Sequence, residues 1–89
     1  MLRQCNLEHF RDTAFVQIDY FHSLLLAESW NGRWDFRRGQ LRGDLRGLKL
    51  LFNNDYERGD RRECWRWIRG INSFINNTIQ PFIDTNKDF

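Results

Sequence analysis

Between Cys64 and Ile79 the residues Cys64, Trp67, Ile68, Ile71, Phe74, Ile75, Thr78 and Ile79 recur at steps of one, three and four, while Arg62, Arg66, Arg69, Ser73 and Asn76 take the opposite side. That is the period of an α-helix with one buried side, and it is incompatible with the two-residue alternation of a half-buried strand. Asp60 and Glu63 stand at capping-box spacing at its start. Pro81 ends or kinks it, so a helix is expected over about 61–79. The period returns upstream in Leu7, Phe10, Ala14, Ile18, Phe21 and Leu25. This predicts a helix over about 7–30, with Asn6 as N-cap, Glu8 in the first turn and Asn31-Gly32 as the stop. Further apolar lines through Val16, Tyr20, Leu24 and Ala27, and through Phe15 and Leu26, make this helix apolar over most of its circumference. Such a helix is either central to its domain or faces another subunit.

Between these two lies a stranger segment. At about 100° per residue, Trp34, Leu41, Leu45, Leu48 and Phe52 form one stripe, predicting a helix over about 35–52 with that stripe as its core side. Within it runs a four-residue repeat, Arg38-Gly39, Arg42-Gly43, Arg46-Gly47. Arg38, Arg42, Arg46 and Lys49 make a basic stripe beside the leucines. Gly39, Gly43 and Gly47 fall opposite them, with Phe36 above and Leu50 below. Each interior glycine disfavours the helix by about 1 kcal/mol against alanine, so three of them need a reason. The first is internal: the bare side lets the 7–30 helix approach closely, as small-xxx-small stripes do. The second is external: the trough accepts an element of another chain, including a second copy of this one. The third is a helix kept weak or irregular.

Two connections complete the fold. WNGRW could form a hairpin around Asn31-Gly32, but its flanks do not alternate, which favours a turn between helices. NNDYERGD, residues 53–60, is turn-forming and reads as the best linker. Short connections between three helices imply an all-α, compact antiparallel three-helix bundle forming one domain over 1–89. Phe82-Ile83 is expected to pack back as a short C-terminal extension, and 84–89 to form a mobile tail. An eight-residue connection is too long for a helix-turn-helix DNA reader.

Charge is uneven along the chain. Residues 1–30 hold two Arg against four acids (−2), residues 31–70 eleven cations against six acids (+5), and residues 71–89 one cation against two acids (−1), giving +2. Twelve of the fourteen cations are Arg, suited to bidentate contact with carboxylate or phosphate. Glu8, Asp12 and Asp19 line one flank of the first helix, where Arg42, Arg46 and Lys49 of an antiparallel neighbour are expected to pair with them. RRECWRWIRG interleaves Arg with Trp, but Trp67 belongs to the inward side, leaving Trp65 to stack.

Chemistry-bearing sets are sparse. Cys5 and His9 are one helical turn apart and Cys64 could approach them, but a structural zinc site wants four ligands and His22 lies about 20 Å of helix beyond His9, so no metal is expected. A Cys5–Cys64 disulfide is sterically conceivable; a core thiol at Cys64 is the simpler expectation. His22 and Ser23 point about 100° apart, so the imidazole does not activate the hydroxyl, and a partly buried histidine is expected. Asn76-Asn77-Thr78 matches a glycosylation signal by pattern alone. Neither a signal-like h-region nor a stretch near ~20 apolar residues occurs, so a cytoplasmic protein without membrane spans is expected.

These readings lead to a non-catalytic protein-interaction module without cofactor or small-molecule substrate, acting as adaptor, regulator or inhibitor, or as a homo-oligomer. Its first candidate partner surface is Phe36, Gly39, Gly43, Gly47 and Leu50. The second is Arg62, Trp65, Arg66 and Arg69, because Trp and Arg dominate binding hot spots. The alternative is nucleic-acid binding through Arg38, Arg42, Arg46 and Lys49 with the third-helix arginines.

Overall fold

The computed structural model describes residues 6–86. Its helices are α1 (Leu7–Leu26), α2 (Asp35–Glu57), α3 (Arg61–Phe74) and α4 (Gln80–Asn86), with a short 3₁₀ turn at Glu28–Trp30 and a wide π turn at Ile75–Ile79 joining α3 to α4. No strand occurs among the described residues. The architecture is the expected all-α three-helix bundle, with α3, the π turn and α4 acting as one long third helix. Its direction alternates. Glu8 at the start of α1 meets Tyr56 at the end of α2 and Arg61 at the start of α3, whereas Trp30, Trp34 and Phe82 gather at the other end.

The apolar stripes read from the sequence form one core: Leu7, Ala14, Ile18, Phe21 and Leu25 from α1, Leu41, Leu45 and Phe52 from α2, and Cys64, Ile68, Ile71, Ile75, Ile79 and Ile83 from the third helix, with Trp30. Of the other expected core residues, Leu48, Trp67 and Phe74 are partly buried against it and Thr78 is half-buried, whereas Phe10 and Trp34 are exposed. Phe10 is half exposed against Trp65, ring centroids 5.4 Å apart. Trp34 is 53% exposed, because it precedes α2 in a left-handed conformation (φ 58°) that turns its ring toward the edge of Phe82. Left-handed backbone is strained for a bulky residue.

Each helix boundary departs from the sequence reading for a traceable reason. α1 stops at Leu26 instead of 30, since Ala27 (ψ 143°) leaves the helix and lets Trp30 swing inward. A helix C-terminus leaves carbonyls without donors; here Trp30 Nε1 donates to the Leu24 carbonyl (2.8 Å) and Arg38 Nη1 to that of Leu25. α2 runs on through Glu57, five residues into the expected linker, which shrinks to Arg58–Asp60. Asp55 anchors this extra turn, buried and accepting from Trp67 Nε1 (2.7 Å) and Arg58 Nη2 (2.6 Å). The long connection that argued against helix-turn-helix is therefore absent. The geometry still differs, because α2 and the third helix lie side by side from Trp34–Phe82 to Phe52–Cys64, and helix-turn-helix pairs cross at about 90–120°.

The third helix continues past 79 and past Pro81. A proline ring clashes with the carbonyl four residues earlier in a regular α-helix, and the π turn just before it widens that ladder. The same turn keeps register. Ile71, Ile75, Ile79 and Ile83 are spaced by four, which in an α-helix advances about 400° per step and drifts off the core side; the wider turn lets all four stay buried. Phe82 and Ile83 pack back on the bundle as expected, Phe82 stacking on Trp30 at 5.5 Å. Asp84–Asn86, read as the start of a mobile tail, form the last helical turn, with Asn86 Nδ2 donating to the Phe82 carbonyl at 2.9 Å.

Candidate interaction surfaces

The side of α2 opposite its leucines is open. A Cβ built on Gly43 or Gly47 would meet nothing within 4 Å, and one on Gly39 would meet only Arg42 Nη2 at 4.0 Å. The internal reading of the repeat is thereby overturned: α1 does not lie against the bare side, because α1 and the third helix both pack on the leucine side. α2 is also a continuous helix through all three glycines, so the repeat does not make it irregular. Phe36 and Leu50, at the ends of the stripe, are 81% and 60% exposed.

Two hollows flank this stripe. One, of about 470 Å³, lies between α2 and α3 and is lined by Gly43, Asp44, Gly47, Leu48, Leu51, Gly70 and Phe74. Gly70 escaped the sequence reading, although it too would meet nothing within 4 Å as alanine. It lies outside the four-residue repeat, and only the pairing of α3 with α2 brings it to the same groove. The other hollow, of about 310 Å³, lies between α1 and α2 and is lined by His22, Leu26, Gly39, Arg42, Gly43 and Arg46.

The basic stripe divides. Arg38 is 5% exposed; besides Leu25, its guanidinium donates to the Arg33 carbonyl (2.8 Å) and to Asp35 (3.0 Å), and it lies 5.3 Å from the centroid of the Trp30 ring. It caps α1 and is not a surface cation. Lys49 pairs with Asp19 (3.6 Å), as expected of an antiparallel neighbour, and covers the Phe15 ring at 5.0 Å. The other two acids find other partners: Asp12 pairs with Arg11, and Glu8 accepts from Tyr56 (2.6 Å) and Arg61 (3.2 Å). The Tyr56 hydroxyl and the Arg61 guanidinium hold the Glu8 carboxyl down at about 2. Arg42 and Arg46 form no ion pair among the described residues. Both face His22, whose pKa is lowered by burial and then by the nearby Arg46 and Arg42.

On the third helix Arg62, Arg66 and Arg69 are exposed, with Arg66 held by Glu63 at 3.3 Å. Trp65 is spent on Phe10 and Trp67 on Asp55, so neither indole of the Arg-Trp run stands free for stacking. Cys64 is a core thiol, its Sγ 3.8 Å from the Phe52 carbonyl and its pKa raised chiefly by burial. Its pairing with Cys5, and the Cys5–His9 half-site, lie outside the described residues. Among those residues no cluster of three metal-ligating side chains occurs, no buried side-chain polar atom lacks a partner, and no helix is long and apolar enough to cross a membrane. No known family model, curated protein or solved structure matches this chain.

Proposed function

We propose that the protein is a non-catalytic interaction module whose working surface is the glycine side of α2, and that its occupant is an amphipathic helix of a partner protein. The observation that carries this reading is a cost without an internal return. Gly43, Gly47 and Gly70 disfavour their helices by about 1 kcal/mol each, and no neighbour takes up the space they leave. Bare stripes let two helix backbones approach closely. The chemistry of the flanks defines the occupant: Leu48, Leu51 and Phe74 offer an apolar wall on one side, and Arg42 and Arg46, unpaired among the described residues, offer charge on the other. A helix with an apolar stripe edged by acidic residues matches both, in the helix-in-groove mode.

Filling the groove tests this. In a Gly43→Leu/Gly47→Leu chain each new Cβ meets nothing within 4 Å, so the chain should keep its helical circular dichroism. A purified partner that binds the unaltered chain should lose binding to this variant and to Arg42→Glu/Arg46→Glu. If the occupant is a second copy, a concentration-dependent mass should vanish in the same variants. Equal binding by the filled and unfilled chains would overturn the reading.

Nucleic-acid binding is supported by the same two arginines with the exposed Arg62 and Arg69 of the third helix, but loses Arg38 to the α1 cap, Lys49 to Asp19 and Trp65 to Phe10 as contributors. Oligonucleotide binding that falls steeply between low and moderate salt would favour it over a protein partner.

A further inference from the structure

We propose that the hollow between α1 and α2 is a binding site for a single phosphoryl group, taken as a phosphate monoester. It draws on the same two arginines as the helix-in-groove reading but requires no bound helix.

The hollow combines features that solvent-exposed arginines ordinarily lack. Arg42 and Arg46 are one turn apart on α2 and line one hollow with His22 of α1, and no carboxylate lines the same hollow. The acids of the adjoining hollows lie outside it: Asp19, in the hollow that shares His22 and Arg46, is tied to Lys49, and Asp44 lines the hollow that shares Gly43. Like charges are thus held together around an empty concavity with no internal counter-ion among the described residues. Glycine makes the concavity: Gly39 and Gly43 form its floor, and Gly39 lies just beneath the Arg42 guanidinium. Side chains at these positions would fill the volume that a ligand would use. Leu26 supplies an apolar lip, suited to the organic part of an ester.

Donor count selects the ligand. Two guanidinium forks present several N–H groups, and a neutral imidazole adds one more. A carboxylate offers two oxygens and is satisfied by one fork, whereas a phosphate monoester offers three terminal oxygens and two negative charges. Binding should also invert the electrostatics at His22. The groups facing it are Arg42 and Arg46 from α2 and Asp19 from its own helix, with Lys49 and Ser23 at the margin. In the free protein burial and the arginines disfavour imidazolium. A dianion offsets both guanidinium charges and makes imidazolium favourable, so the imidazole should take up a proton as the ligand binds.

The test follows the His22 imidazole by NMR in chloride buffer at low salt, with His9 at the far end of α1 as internal control. Phenyl phosphate should give a saturable shift at His22 and at the amides of Gly39 and Gly43 while leaving the His9 resonances in place at constant pH, and should move the His22 titration to higher pH. Arg42→Gln/Arg46→Gln, in which neither residue belongs to the core, should keep the fold and bind at least about tenfold more weakly. Inorganic phosphate binding as tightly as phenyl phosphate would identify the source as free phosphate, and weaker binding would identify an ester; both support the site. The proposal is overturned by no saturable shift up to roughly 10 mM ligand, by equal shifts with acetate, by unchanged binding in the double variant, or by binding of a single-stranded oligonucleotide without any binding of the monoester.

Discussion

Arg38, Arg42 and Arg46 occupy equivalent places in the repeat, yet one is structural and two face solvent. Spacing could not separate them, because what differs is not on α2 at all. α1 ends at Leu26, and the carbonyls exposed by that ending lie over Arg38. A guanidinium at a helix C-terminus also faces the negative end of the helix dipole, and the Trp30 ring beneath it adds a cation–π contact. Arg38→Met keeps the apolar stem but leaves the Leu25 and Arg33 carbonyls without this donor, so it should lower unfolding free energy by about 2–3 kcal/mol. Arg42→Gln should change it by less than about 0.5 kcal/mol, as surface substitutions usually do. Urea titrations of the two variants compare them directly, and similar losses in both would refute the cap assignment.

At the scale of helices, element type was legible and element ends were not. The three-and-four spacing of apolar residues survives packing because it is what packing requires. The ends were set by side-chain bonds that local composition does not display. NNDYERGD reads as a linker from its Asn, Asp and Gly content, yet Asp55 and Tyr56 hold most of it helical through Trp67 and Glu8, on other helices. The turn that remains depends on Gly59, whose φ of 77° suits glycine. Alanine there should destabilise by roughly 1–2 kcal/mol, the penalty of left-handed backbone, although no atom stands in the way of its Cβ. Thermal unfolding of Gly59→Ala should show a lower midpoint, and an unchanged one would show that the turn relaxes freely. Pro81 was legible as a disturbance of the third helix. Its outcome, a π turn instead of an end, depends on the core holding Ile75, Ile79 and Ile83 in line.

For the molecule as a whole, the bundle and most of its core could be read from periodicity, while the candidate surfaces could be read only in part. The glycine stripe and its apolar ends were visible on a helical wheel. Whether that stripe faced inward or outward was not, because it depends on where two other helices settle. Both settle on the leucine side, which exposes the stripe and brings Gly70 and Phe74 to its edge. The fold therefore keeps three helix-weakening residues on a surface where alanine would fit. The most direct test is the unfolding free energy of a chain carrying Gly43→Ala, Gly47→Ala and Gly70→Ala together. If the groove has no role inside the protein, this chain should be more stable by about 2–3 kcal/mol, with its midpoint raised by roughly 10–15 °C; an unchanged or lowered stability would mean that the glycines serve the fold itself.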